Sequence, residues 1–126
     1  MTERVLLGRR YLIVEDEYLV ASDLLDTLEG AGATVYGPVS DVRHAMEVLA
    51  EPSFVLDAAI LDINLRGDMV YPVATLLMKR GMPFLFATGY QRSLIPAEFS
   101  NAPCLSKPVS DAVLIATLQK LASTSS

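Results

Sequence analysis

The residues of this 126-residue chain best able to do chemistry stand where its apolar runs stop. Ala58-Ala59-Ile60-Leu61-Asp62-Ile63-Asn64 is an apolar run of strand length broken by a carboxylate. Tyr11-Leu12-Ile13-Val14 runs directly into Glu15-Asp16-Glu17, Pro83-Phe84-Leu85-Phe86-Ala87 into Thr88, and Pro103-Cys104-Leu105-Ser106 into Lys107. An apolar run without alternation reads as a strand buried on both faces, as in a parallel sheet covered by helices. A carboxylate at the end of such a strand is costly unless the site uses its charge. Right-handed crossovers bring the ends of parallel strands to one edge of the sheet, where ligands of open α/β sheets bind. Glu15, Asp16, Asp62, Thr88 and Lys107 would therefore converge. Clustered carboxylates repel one another and favour a hard divalent cation, for which Mg²⁺ is the usual candidate. With that cation bound, Asp62 can act as a nucleophile towards a phosphoryl group, and Lys107 can stabilise charge on the transferring oxygens.

The elements that must position these groups alternate along the chain. After the first strand, Ala21, Leu24, Leu25 and Leu28 mark a helix that stops near Gly30 and Gly32. Thr34-Val35-Tyr36 is a short second strand ending at Gly37-Pro38, and Ser40 is expected to cap a helix carrying Val42, Ala45, Met46 and Leu49, closed by Pro52. The strand of Asp62 is third. Arg66-Gly67-Asp68 turns into a helix with Pro72 in its first turn and Val73, Leu76 and Leu77 on its buried face. The strands leading to Thr88 and Lys107 are fourth and fifth, and Ser110 is expected to cap a last helix bearing Leu114, Leu118 and Leu121. Between them, residues 89–103 hold Pro96, Asn101 and Pro103 with sparse apolar residues, so one or two helical turns at most are expected there. Five strands and four clear helices make one three-layer α/β domain.

Composition agrees and excludes several classes. The chain is long enough for one domain, and its 52% hydrophobic content supplies a core. No apolar run approaches the roughly 18 residues of a membrane span, and residues 1–10 lack the pattern of a signal peptide. One cysteine cannot form an internal disulfide, which suits a cytoplasmic setting. A net charge of −5 without a basic stripe argues against direct nucleic-acid binding.

On these residues the chain resembles the receiver domain of bacterial two-component response regulators, from about Tyr11 to Ala122, with residues 1–10 as an N-terminal extension and 123–126 as a frayed tail. The resemblance implies a flavodoxin-like doubly wound sheet of five parallel strands in the order 2-1-3-4-5. It implies that Glu15 and Asp16 hold Mg²⁺ together with Asp62 and the backbone carbonyl of Asn64. It makes Asp62 the phosphoacceptor, Thr88 the switch hydroxyl, Lys107 the phosphoryl-binding lysine and Lys107-Pro108 a cis bond. Pro83-Phe84-Leu85-Phe86-Ala87-Thr88-Gly89-Tyr90 further resembles the stand-alone receivers called the FAT GUY subgroup, which lack an ordinary fourth helix and serve histidine kinases of general-stress signalling.

Three positions depart from the family pattern or stand beside it. Cys104 occupies the place of the aromatic residue that rotates on activation, so the switch must be relayed otherwise. Tyr90 is the candidate, either as a substitute switch or as a ring that covers the site and slows loss of the phosphoryl group, with simple packing as the alternative. Arg66 replaces the usual proline four residues after the phosphoacceptor, a change expected to alter the loop and leave the chemistry intact. Glu17 is read as favouring the helix N-terminus, His44 as a solvated surface residue, and Cys104 as a small hydrophobe.

The expected function is that of a single-domain response regulator, a phosphoacceptor rather than an enzyme. It would take a phosphoryl group from a sensor histidine kinase on Asp62, then signal to a downstream protein or phosphotransferase, or act as a phosphate sink. The rivals are a pseudo-receiver interaction module, an aspartyl phosphatase, and a receiver belonging to a longer protein. The phosphatase is disfavoured because Asn64 stands where a second acid would activate water.

Overall fold

The computed structural model describes residues 4–89 and 94–124. In chain order the elements are β1 (Arg10–Val14), α1 (Tyr18–Gly30), β2 (Thr34–Val39), α2 (Val42–Ala50), β3 (Ala58–Leu61), β4 (Asn64–Leu65), β5 (Asp68–Met69), α3 (Tyr71–Lys79), β6 (Phe84–Thr88), a single 3-10 turn (Ala97–Phe99), β7 (Cys104–Ser106) and α4 (Asp111–Thr124). The main sheet is parallel throughout, in the order β2-β1-β3-β6-β7. Counting only its own five strands, this is the order 2-1-3-4-5.

Period-two alternation splits each central strand between two cores. Leu12 and Val14, Ala59 and Leu61, and Phe84 and Phe86 face α2 and α3, where Ala45, Leu49, Val73 and Leu77 meet them. Tyr11 and Ile13, Ala58 and Ile60, and Leu85 and Ala87 face α1 and α4, against Leu24, Leu28, Leu114 and Leu118. Both faces are covered, which is why these strands are apolar without a break. The core starts before Tyr11: Leu6 is buried beside Leu28, and its N–H donates to the Ala31 carbonyl at 2.9 Å.

The second strand does not stop at Tyr36. It continues through Gly37-Pro38 to Val39, with a register shift against β1 between Leu12 and Val14. A glycine-proline pair reads as a turn, but here Gly37 absorbs an extra residue as a bulge does. Its φ is +91°, and a Cβ there would lie 2.7 Å from the Val39 nitrogen and 2.9 Å from the Ile13 carbonyl oxygen. Both Gly37-Pro38 and Lys107-Pro108 are cis.

Asp41, not Ser40, caps α2. Its Oδ1 accepts from the His44 N–H at 2.7 Å, three residues on, as an N-cap side chain must. Asp41→Ala should lower unfolding free energy by about 1 kcal/mol in urea denaturation, whereas Ser40→Ala should be close to neutral. The Ser110 cap of α4 is observed, with its Oγ accepting from the Val113 N–H at 3.4 Å. The turn expected at Arg66-Gly67-Asp68 is present, but the antiparallel pair β4–β5 that closes it into a two-residue hairpin was not evident from sequence.

Residues 94–103 contain the 3-10 turn Ala97–Phe99 in place of a full helix. Phe99 is buried there, stacked on Tyr71 at 5.4 Å and edge-on to Phe86 at 6.1 Å. An aromatic cluster thus fills the layer with the surface a helix would otherwise supply.

Candidate functional site

The sheet's own hydrogen bonds carry past the strand ends and fix the polar groups. The Glu15 N–H donates to the Val39 carbonyl at 2.9 Å, Asp62 N–H to Val14 at 2.8 Å, and Lys107 N–H to Thr88 at 3.0 Å. The bulge in β2 matters here, because without it Val39 would not reach Glu15. Glu15, Asp62 and Thr88 are the buried polar residues of the described chain.

The Lys107 ammonium reaches across the strand ends. Its Nζ lies 2.7 Å from Glu15 Oε1, 3.2 Å from Glu17 Oε1 and 3.4 Å from Asp62 Oδ2. Burial works to lower the Lys107 pKa, but the carboxylates of Glu15, Asp62 and Glu17 outweigh it and hold the ammonium above its ordinary value. Asp62 moves the other way from a paired acid. Burial, reinforced by the Glu15 carboxylate and only partly opposed by Lys107, pushes its pKa up to about 7. One ammonium does not neutralise this many acids.

Glu15, Asp16, Glu17 and Asp62 each present a carboxylate oxygen within 4.8 Å of the others. They meet at the edge of a cavity of about 540 Å³ lined by Asp16, Asp62, Asn64, Arg66, Thr88 and Lys107, among others. Whether a divalent cation suits this site can be judged from Glu15. Its Oε1 is fully buried and accepts no hydrogen bond; Lys107 approaches it as an ion pair but without hydrogen-bond geometry. An all-oxygen donor set with excess negative charge and a buried unsatisfied oxygen fits Mg²⁺.

The groups expected from sequence are therefore brought together: Glu15, Asp16, Asp62, Asn64, Thr88 and Lys107 all border or underlie one cavity. The Asn64 side chain is committed to the β4–β5 turn, its Oδ1 accepting from the Gly67 N–H at 2.7 Å. Cys104 is not at the cavity; it is half-buried against the core on the α2/α3 side, in register with Phe86. Tyr90 lies outside the described residues. His44 is exposed on α2.

Two charged residues do more than their sequence context suggested. Glu17 occupies the N-cap position of α1 but makes no capping hydrogen bond with its side chain; that carboxylate turns to Lys107 instead. Arg66 sits at the tip of the β4–β5 turn with its Nε 3.8 Å from Asp16 Oδ2. The only signal for either was sequence proximity to an acid already implicated, and the strand pairing that makes the Arg66 turn a hairpin and aims its side chain was not readable.

The fold is a doubly wound α/β domain with an acidic cluster and a lysine at one edge of its sheet, and comparison with known proteins gives its class. No family model matches the chain. The solution structure of SdrG from Sphingomonas melonis Fr1 is 39% identical, with a TM-score of 0.78 over 90% of this chain and 95% of that one. The beryllofluoride-activated conformation of SdrG is 37% identical, with a TM-score of 0.75 over 97% of this chain and 99% of that one. A response regulator receiver protein from Sinorhizobium medicae, 24% identical over 94% of this chain and 97% of its own, shares the fold with a TM-score of 0.79. The transcriptional regulatory protein PdtaR of Mycobacterium tuberculosis is 33% identical over 91 residues, 69% of this chain, and the chain spans 42% of that protein's length. The chain belongs to the receiver domains of response regulators. Among the described residues no helix is long and apolar enough to cross a membrane.

Proposed function

We propose that the chain is a phosphoacceptor receiver that takes a phosphoryl group from a histidine kinase on Asp62 and passes the signal to a partner protein, or drains phosphoryl groups from the same kinase. The observation that carries the reading is the Lys107 ammonium, held 3.4 Å from Asp62 Oδ2 across the strand ends. An Asp62 oxygen attacks phosphorus, the bond from phosphorus to the donor imidazole nitrogen breaks, and its electron pair stays on that nitrogen. Lys107, kept charged by its carboxylate neighbours, meets the phosphoryl oxygens. Thr88, buried at the end of β6, supplies a hydroxyl to them as the surface around β6 shifts. Glu15, Asp16, Asp62 and the Asn64 carbonyl would hold Mg²⁺, which when bound offsets negative charge on the phosphoryl group. Tyr18, exposed at the start of α1, lines a neighbouring cleft with Asp16 and Arg66 and offers a donor protein an apolar contact beside the site.

The test is a Mg²⁺-dependent beryllofluoride titration followed by NMR, on the native protein and on Asp62→Asn. That SdrG has a beryllofluoride-activated conformation makes the reagent apt. Amide shifts at Asp62, Thr88 and Lys107 are expected in the native protein and should vanish without Mg²⁺ and in the variant. A silent native spectrum with the fold intact would favour the pseudo-receiver, an interaction module that keeps the fold without phosphoryl turnover.

A further inference from the structure

We infer that Arg66 is a built-in competitor for the divalent cation, a tethered charge that weakens Mg²⁺ binding by occupying Asp16. The inference rests on the proposed phosphoacceptor reading and concerns how readily that site is charged with metal. Arg66 and Gly67 are the central residues of the two-residue turn joining β4 to β5, with φ of +56° and +96°. Positive φ at both centres is what type I′ hairpin turns require, and asparagine or glycine meets it at least cost. An arginine there is the one non-glycine residue of positive φ among the described residues. Backbone strain of this kind collects at functional sites, and the turn itself has no use for a guanidinium.

The placement says what the side chain does. The turn is pinned by the Gly67 N–H to Asn64 Oδ1 bond at 2.7 Å and by the Val70 N–H to the Ile63 carbonyl at 2.8 Å. Pinned so, it holds the Arg66 guanidinium over the acid cluster, 3.8 Å from Asp16 Oδ2. Asp16 is the acid of the cluster that Lys107 does not pair with; Lys107 takes Glu15, Glu17 and Asp62. Arg66 lines the phosphoacceptor cavity and also the neighbouring cleft below Tyr18, so the guanidinium has room to leave Asp16 without unfolding the turn. Its side chain is 76% exposed, and an exposed partner is displaced at small cost. A cation arriving at Asp16 must displace this charge or sit beside it, and either lowers its affinity. The effect is electrostatic and should weaken with salt.

Mg²⁺ titration by amide NMR shifts, without any phosphoryl donor, tests this on the native protein, Arg66→Ala, Arg66→Lys and Arg66→Gly. The glycine variant suits the turn better than the native residue, which guards against a variant that fails to fold. Removing the charge as Ala or Gly should tighten the Mg²⁺ Kd by about three- to tenfold at low ionic strength, with the gap closing near half-molar salt, and Lys should stay close to native. Equal Kd values in native, Ala and Gly proteins would overturn the role of Arg66 while leaving the phosphoacceptor reading intact. If the native protein itself shows no saturable Mg²⁺ shift at Asp16 and Asp62, the metal reading fails, and this one with it.

Discussion

Asp62→Asn is expected to abolish phosphoryl uptake from a small donor such as acetyl phosphate, a loss of at least about a thousandfold, while raising the melting temperature of the metal-free protein at alkaline pH. The first effect follows from losing the nucleophilic oxygen. The second follows from the cost of the carboxylate in its native place. Asp62 is 6% exposed and faces Glu15, and its pKa rises from 3.8 to about 7 on folding. The folded state therefore favours the protonated acid. Stability associated with this group is fully present below about pH 4 and is lost as pH rises through about 7. Near pH 4 native and variant should melt together. By pH 8, with a chelator present, the variant should melt a few degrees higher. Added Mg²⁺ should narrow or reverse that gap, because it binds the folded native protein better than the variant. Calorimetry across this pH range checks it: a variant that melts lower than native at pH 8 in chelator would mean that the ionised Asp62 does not burden the fold.

Phe86→Ala should cost about 3–5 kcal/mol, a fall in melting temperature of roughly 10–20 °C for a domain of this size. Phe86 is fully buried in β6, paired to Leu61 on one side and Cys104 on the other. Its ring packs edge-on against Phe84 at 5.5 Å, Phe99 at 6.1 Å and Tyr71 at 6.4 Å. Those contacts come from a strand, a helix and the 3-10 turn, so the cavity left by truncation cannot collapse from one side only. Phe86→Leu, which refills much of the volume, should cost less than half as much in chemical denaturation. Equal costs for Leu and Ala would show that the aromatic packing, rather than the volume, holds this layer.

Much of the architecture was legible because local rules and the tertiary fold agree. The unbroken apolar runs of β1, β3 and β6 announced burial on both faces, and the helical spacing of Leu24, Leu28, Leu114 and Leu118 announced the layer against them. Where local signals had two uses, sequence reading chose the commoner one. Gly37-Pro38 looked like a turn and is a bulge inside a strand. Ser40 and Asp41 are both good caps, and the start of α2 selects Asp41.

The sequence by itself determined which groups reach the edge of the sheet, since a parallel fold brings every strand end to one side and the polar residues already stood at those ends. It could not determine how their charges are shared out. Glu15, Asp16 and Glu17 are consecutive acids, yet one is buried beneath Lys107, one meets Arg66 and one turns back to Lys107. That division depends on the direction in which each side chain leaves the end of β1, on the bulge that lets Val39 hold Glu15, and on a two-residue turn that aims Arg66. Strand ends are set by hydrophobic pattern, which is local and periodic; charge pairing is set by angstrom-scale distances between segments far apart in the chain, and only the assembled fold supplies them.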